Sequence, residues 1–459
     1  MSGSVGHTRE WFKERIKRHA SEIVRLSVPT VMMRLGIMML GITDTAMVGH
    51  YATEHLAWLN LANQSIIMFV LVVGLGLVSG VLIMAATSYG QDDFEQCGRV
   101  WRRSLPFVLI AGVIMTAICY PAEYWLLLLG QSVEKAEQSG SLIRILSYGI
   151  IGHLLFACST MFLEGIKRPE VGFKLMVGAN IVNVAINYAL IFGNWGMPEL
   201  GAEGSAWAST GVRWCMALMA IGYIWYAPSI KKFKVRLPNT DSWQSWKEQR
   251  HIGYASGISL AAEVAAFSAL AIFAGWIGTI ALAAHGIILQ LLTLPAMIAI
   301  GIGVASSVRV GIAFSRRDRL DVLIGGWTGV CICLLLLVLI TIALSYGGAF
   351  AISIFTNDAD VFSVIFPLLF LLSVTIIFDG LQMILSFTIR GMREKWWPTA
   401  IQSLSYIGVM LPLCYYLAIE KDFGLWGLVL GTLVASIVST ALQGWFFHHL
   451  TKATARQFS

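Results

Sequence analysis

The stretch LGIMMLGITDTAMVGH, Leu35–His50, is an apolar run that is rich in glycine and methionine and contains a single carboxylate, Asp44. The chain around it has 459 residues, of which 57% are hydrophobic and only 13% are charged, whereas a soluble globular protein has about 25% charged residues. This composition, together with many long apolar runs, predicts an all-α polytopic membrane protein. The sequence lacks the alternating segments of about ten residues that are typical of a membrane β-barrel.

Apolar segments long enough to cross a hydrocarbon core of about 30 Å predict about twelve transmembrane helices. They lie near residues 25–48, 56–88, 105–130, 140–163, 171–193, 204–227, 253–276, 281–313, 322–347, 361–389, 397–419 and 424–449. Ahead of them, Thr8–Arg25 has apolar residues at helical spacing among Arg and Lys. That pattern predicts a basic interfacial helix on the cytoplasmic face.

Lysine and arginine are concentrated in every second loop, after the second, fourth, sixth, eighth and tenth spans. The intervening loops contain almost none, with Lys135 and Lys421 as the exceptions. By the positive-inside rule, this alternation places both termini in the cytoplasm.

The two halves of the chain resemble each other. VVGLGLVSGVLIMAATS (Val72–Ser88) matches AIGIGVASSVRVGIAFS (Ala299–Ser315), and LGAEGSAWAS (Leu200–Ser209) matches FGLWGLVLGT (Phe423–Thr432) with two glycines in register. These matches predict a duplicated unit of six spans, hence two pseudo-symmetric six-helix bundles, an arrangement that suits alternating access. The predicted parts are an interfacial helix (1–25), an N-lobe (26–228), a cytoplasmic linker (229–250), a C-lobe (251–450) and a cytoplasmic tail (451–459).

Three carboxylates lie in otherwise apolar segments: Asp44 in the N-lobe, and Glu263 and Asp379 in the C-lobe. Ionisable residues inside a membrane are costly and indicate a functional site by default. A carboxyl group that is removed from water holds a proton more readily, so such a group can exchange a proton or a cation when water arrives. For Asp44 the alternative is a structural ion pair with an arginine inside a predicted span, for which the candidates are Arg34, Arg144 and Arg213.

Neutral polar residues accompany these acids. Asn183 and Asn187 are four residues apart and therefore share one helix face. Their amides could serve a cation or a protonated acid, or could equally join helices. Glu263 and Asp379 could share a sodium ion, whose hard charge prefers oxygen ligands, or a proton. Thr375, one turn before Asp379, adds a possible hydroxyl.

Several other classes of protein are disfavoured. The chain has no GxxxxGK[ST] nucleotide-binding loop and no hydrolase, metalloprotease or kinase motif, so we expect a transporter driven by an ion gradient, not an enzyme. The seven cysteines lie mostly in apolar runs and are expected to be packing thiols. The net charge of +6 lies in the loops and does not indicate nucleic-acid binding.

Taken together, these motifs resemble the multidrug and toxic compound extrusion (MATE) family, in particular its bacterial NorM-like branch. The resemblance extends from about Pro29 to Phe447 and is carried by ITDTAMVGH, NVAINYALIFGNWGMPELGAEGSAWAS, AAEVAAFSALAIFAGWIGTIALAAHGI and FDGLQMILSFTIRGMREKWWP. It implies that Asp44 is the coupling acid of the first helix, with Asn183, Asn187 and Ser209 around it. It also implies that Glu263 and Asp379 form a C-lobe cation site, with Thr375 where some members have tyrosine.

The sequence therefore predicts a monomeric efflux antiporter in the lipid bilayer of the cytoplasmic (inner) membrane, without a cofactor or an ATPase subunit. It would export amphipathic, often cationic, drugs or metabolites in exchange for Na⁺ or H⁺. A lipid-linked precursor flippase of the same wider superfamily is the alternative, which Arg34 and Arg213 keep open. An intramembrane enzyme would need a His/Asp or Ser/His constellation that the sequence does not show, and the duplication disfavours a channel.

Overall fold

The computed structural model describes residues 9–238, 241–356 and 358–453. These residues form α-helices with short 3₁₀ and π segments, and no strand occurs among them. We number the twelve long helices in chain order: α1 Arg9–Tyr51, α2 Thr53–Gly90, α3 Phe94–Cys119, α4 Val133–Gly165, α5 Pro169–Phe192, α6 Ala202–Tyr226, α7 Lys247–Ile277, α8 Thr279–Ser315, α9 Arg319–Ser353, α10 Ala359–Gly391, α11 Trp396–Glu420 and α12 Gly424–Ala453. The start of the predicted interfacial segment and the end of the predicted tail lie outside the described residues.

Eleven of these helices are long and apolar enough to cross a membrane, and α6 is the exception. This helix is 25 residues long and contains Glu203 and Arg213, which lower its mean hydropathy. The predicted all-α architecture with twelve helices is confirmed. The cysteines are all free, and five of the seven are buried, as expected for packing thiols.

The first helix is longer than the sequence indicates. α1 continues without a break from Arg9 to Tyr51 and contains Pro29 in its interior, so the predicted interfacial segment and the first predicted span are parts of one helix. Ion pairs hold its first part: Arg15 lies 2.8 Å and Arg18 2.7 Å from carboxylate oxygens of Asp321 in α9.

The chain divides into two compact units. One contains Met32–Ala261; the other contains the residues before Met32 together with those from Ala262 onwards. The divisions fall inside α1 and α7, whereas the lobes expected from the sequence begin at residues 26 and 251. We call the first unit the N-unit and the second the C-unit.

Each unit has one central helix. In the N-unit this is α4, whose apolar membrane-spanning stretch is 89% buried and which packs against α2, α3 and α6. In the C-unit it is α10, which packs against α8, α9 and α12. Both central helices have 33 residues, and each is the fourth span of its predicted repeat.

Turn geometry supports the duplication. Gly201 and Gly424, which the sequence places in register, have φ angles of +55° and +53°; Gly201 immediately precedes α6, and Gly424 is the first residue of α12. This left-handed conformation favours glycine because it has no Cβ. The loops after α4 and α10 also share a left-handed residue, Lys167 in one and Arg393 in the other. Equivalent loops of the two halves therefore use the same unusual backbone conformation.

Candidate functional site

Asp44 lies at the centre of a hydrogen-bonded cluster in the N-unit. The side chain is buried, with 6% of its surface exposed. Asn183 and Asn187 of α5 donate to its Oδ1 atom over 3.1 and 2.6 Å, and Ser209 of α6 donates to its Oδ2 atom. The spacing of four residues places both amides on one face of α5, as expected. All four residues assigned to the N-lobe site are therefore in contact.

The arginines suggested as structural partners do not form an ion pair with Asp44. Arg144 pairs with Glu123, and the guanidinium of Arg34 lies 3.9 Å from the carboxylate of Glu164. Arg213 interacts electrostatically with Asp44, but its hydrogen bond, 3.4 Å long, goes to the carbonyl of Leu146. Neutral donors therefore hold the Asp44 carboxylate, and its charge is not fixed by a cation in contact.

Asp379 has a similar environment in the C-unit. It is buried in α10 with 9% of its surface exposed. Tyr406 Oη and Gln382 Nε2 donate to its Oδ1 atom over 3.1 and 3.3 Å. Gln382 also donates to Tyr406 Oη over 2.6 Å, and Ser439 Oγ donates to Gln382 Oε1 over 3.0 Å. The network joins α10, α11 and α12 around one acid.

Glu263 of α7 is the other acid assigned to the C-lobe site. Gln402 Nε2 of α11 donates to its Oε2 atom over 2.8 Å. The Glu263 carboxylate also interacts electrostatically with Asp379 and with Arg390 of α10. The guanidinium of Arg390 is held by the hydroxyl groups of Ser386 and Thr399. The two acids assigned to the C-lobe site are thus near enough to influence each other.

Thr375 is placed differently from what its position one turn before Asp379 predicts. It is buried, but its hydroxyl donates to the carbonyl of Leu371 in its own helix over 2.9 Å. Tyr406 and Gln382 hold Asp379 instead, and sequence reasoning missed both, together with Gln402. Gln382 follows Asp379 by one helical turn, and Gln402 and Tyr406 are four residues apart, so helical periodicity could have indicated them.

The donor set indicates what the two sites can do. A carboxylate held by amide and hydroxyl groups can change its charge without breaking a salt bridge. Both sites can therefore gain or lose a proton or a cation. The described residues contain no group of three or more His, Cys, Asp and Glu that could hold a metal ion. Any metal site at Glu263 and Asp379 would therefore need neutral oxygen ligands in addition to the two carboxylates.

Comparison with known proteins adds the family and the fold. The MatE family model matches residues 29–189 and 255–416. A protein of Caulobacter vibrioides named "Probable multidrug resistance protein NorM" is 30% identical over 419 residues, which cover 91% of this chain and 89% of the relative.

Solved structures show the same fold. A crystal structure described as a eukaryotic MATE transporter, AtDTX14, superimposes with a TM-score of 0.88 at 18% identity, covering 97% of this chain and 100% of the other. An outward-facing multidrug resistance MATE family transporter of the MOP superfamily superimposes with a TM-score of 0.86 at 19% identity, covering 95% and 96%. The twelve-helix architecture is therefore shared over essentially the whole chain.

Proposed function

Because the chain belongs to the MatE family, we propose that it is a secondary active efflux transporter that exports amphipathic, often cationic, organic molecules in exchange for Na⁺ or H⁺. The observation that carries this proposal is the occurrence of buried carboxylates held by neutral donors in both compact units. Ion-pump and transporter helices use buried acids in this way because a change of their ion occupancy alters the stability of the surrounding helix packing.

Asp44, Glu263 and Asp379 are the proposed ion-coupling residues. Asn183, Asn187 and Ser209 support Asp44 through the hydrogen bonds described above. Coupling requires only that the ion and the cargo stabilise different conformations or compete for the same one. In the proposed cycle the acids take up the ion from outside, cargo is released outward, and loss of the ion to the cytoplasm restores cargo binding.

The same proposal places the protein in the inner membrane as a monomer with both termini in the cytoplasm, and the coupling ion is the only inorganic partner it needs. Its similarity to the Caulobacter relative, whose name describes multidrug resistance, supports the choice of drug-like cargo. The flippase alternative is less well supported, because Arg34, one of its two arginines, lies beside Glu164, so its charge is compensated.

The test is efflux of the fluorescent cation ethidium from proteoliposomes that contain the purified protein, with sodium and pH gradients imposed separately. We expect net ethidium efflux against its concentration gradient when at least one of the two ion gradients is imposed. Asp44→Asn, Glu263→Gln and Asp379→Asn should each lower the rate at least tenfold while the protein remains monodisperse. The matched control is Glu123→Gln, an acid of the N-unit that is paired with Arg144 away from the cluster; this variant should retain the wild-type rate.

Transport that continues unchanged after both gradients collapse would contradict the antiport. Wild-type rates in all three variants would remove the site assignment.

A further inference from the structure

One charged residue beside the Asp44 cluster has no role in the cycle above. Arg213 lies on α6, four residues after Ser209, so the two share a helix face and their Cα atoms are about 6 Å apart along the axis. Since Ser209 donates to Asp44, this spacing brings the guanidinium close to the cluster, and the two charges interact.

Arg213 is fixed in a slot on α4. Gly149 and Gly152, three residues apart on that helix, face it directly. A Cβ atom on Gly149 would lie 3.0 Å from Cδ of Arg213, and a Cβ atom on Gly152 would lie 3.0 Å from its carbonyl carbon. A Cβ atom at Gly149 would press against the Arg213 side chain, and one at Gly152 would press against the α6 backbone. The charge of Arg213 is thus held in place by backbone packing and not by an ion pair with Asp44.

Two other ionisable side chains, His153 and Arg34, lie near Asp44 and Arg213. His153 of α4 interacts with Arg213 and with Arg34 of α1. Its ring is buried with 8% exposed, and its Nε2 atom has no hydrogen-bond partner. Arg34 in turn lies beside Glu164. Arg34 thus has a carboxylate of its own nearby, whereas Arg213 has no acid among its hydrogen-bond or ion-pair partners in the described part of the chain and donates to the carbonyl of Leu146.

We propose that Arg213 is a fixed counter-charge that converts the protonation of Asp44 into repulsion of cationic cargo, and is thereby a specificity-determining residue of the N-unit. With Asp44 ionised, the pair is neutral overall and a cation can approach the carboxylate. When Asp44 takes a proton on a carboxylate oxygen, the positive charge of Arg213 remains uncompensated in a medium of low dielectric constant. The cluster then disfavours a cation and favours an anion.

This inference rests on the proposed function and can be tested without any gradient. Asp44→Asn keeps the shape of the side chain but removes its charge, as protonation does. The probes are tetraphenylphosphonium and tetraphenylborate, which have nearly the same size and opposite charge. Binding of each probe to purified protein is measured by equilibrium dialysis for the wild type, Asp44→Asn, Arg213→Gln and the double variant.

We expect Asp44→Asn to weaken the binding of tetraphenylphosphonium at least tenfold. The affinity of this variant for tetraphenylborate should rise relative to its affinity for tetraphenylphosphonium. The double variant Asp44→Asn/Arg213→Gln should bind phosphonium within threefold of the wild type, because both charges are gone. Asp44→Asn/Arg213→Lys, which retains the positive charge, should stay as weak as Asp44→Asn. Asp44→Asn/Arg144→Gln is the matched control and should stay equally weak, because Arg144 pairs with Glu123.

A double variant that binds phosphonium as weakly as Asp44→Asn overturns the inference and leaves the export function intact. If variants with Arg213→Gln do not fold, Asp44→Asn/Arg213→Lys still tests the inference. Recovery of phosphonium binding in this variant, which retains the positive charge, would also overturn the inference. A wild-type protein that binds neither probe overturns the cation-export proposal itself, and the inference with it.

Discussion

At the scale of single residues, Asp44 and Asp379 are both buried and both accept hydrogen bonds from neutral side chains. Asp44 accepts hydrogen bonds from two amides and a hydroxyl, and Asp379 accepts from an amide and a phenol. Neutral donors stabilise a carboxylate without neutralising its charge, so the acid can still bind or release a proton or a cation. An arginine in direct contact would have prevented this, because breaking a buried ion pair costs several kcal/mol.

The shorter of the two amide hydrogen bonds to Asp44 gives a prediction at this scale. Asn187→Ala removes the 2.6 Å hydrogen bond to Asp44 Oδ1. A hydrogen bond to a charged group contributes about 1.5–3 kcal/mol, so ethidium transport at a fixed gradient should fall about tenfold or more.

Asn180→Ala is the matched control for this change. Asn180 lies on the same helix but donates to the carbonyls of Gly36 and Met176. This variant should keep at least a third of the wild-type rate. Equal losses in the two variants would show that α5 packing, and not the contact with Asp44, is responsible.

At the scale of helices, paired glycines set the close approaches in both repeats. The sequence places Gly204 and Gly427 in register, and both occupy helix crossings. A Cβ atom on Gly204 would lie 2.4 Å from the carbonyl oxygen of Leu190, and one on Gly427 would lie 2.6 Å from the backbone nitrogen of Ala418. In each unit the sixth helix of the repeat therefore meets the fifth through backbone contact, which only glycine permits.

Gly204→Ala and Gly427→Ala should each lower the midpoint of thermal unfolding, because backbone atoms cannot move aside as a flexible side chain can. Gly211→Ala is the control on the same helix as Gly204, and nothing lies within 4 Å of the position that its methyl group would take. Alanine there should keep or raise the midpoint, since glycine in a helix interior costs about 0.5–1 kcal/mol relative to alanine.

The midpoints are measured from intrinsic tryptophan fluorescence of detergent-purified protein. A Gly204→Ala variant as stable as Gly211→Ala would show that the α5–α6 crossing relaxes without cost.

At the scale of the whole molecule, chain order and compact units do not coincide. Residues of α1 before Met32 belong to the C-unit, although the rest of that unit begins at Ala262. A cluster of charges accounts for part of this: Arg15 and Arg18 contact Asp321, and the ring of His19, which is fully buried, lies 3.2 Å from the same carboxylate.

Asp321→Asn should therefore destabilise the C-unit. The change removes the charge shared by these three basic side chains, which we expect to cost about 1–3 kcal/mol. The thermal midpoint should fall by several degrees. Asp360→Asn is the control, because Asp360 is exposed in the first turn of α10 and the cap of that turn is supplied by Asp358. Unchanged midpoints in both variants would show that α1 is held by apolar packing alone.

The sequence by itself determined the helices, the duplication and the three acids. Composition, helical periodicity and loop charge are local properties, and they indicate spans and unusual buried charges without any knowledge of packing. The shared face of Asn183 and Asn187 follows from the same periodicity. Ser209 entered through a family resemblance, because nothing in its local sequence marks it.

Only the tertiary structure decided which side chains meet. Ser209 and Asp44 are 165 residues apart, and Tyr406 and Asp379 lie on different helices. The rotation and depth of each helix bring Tyr406 to Asp379, turn Thr375 away from it, and hold Arg213 near Asp44 without contact. These distances depend on how helices cross, which is fixed by glycine contacts and side-chain volumes across the whole bundle and not by the local pattern of any one segment.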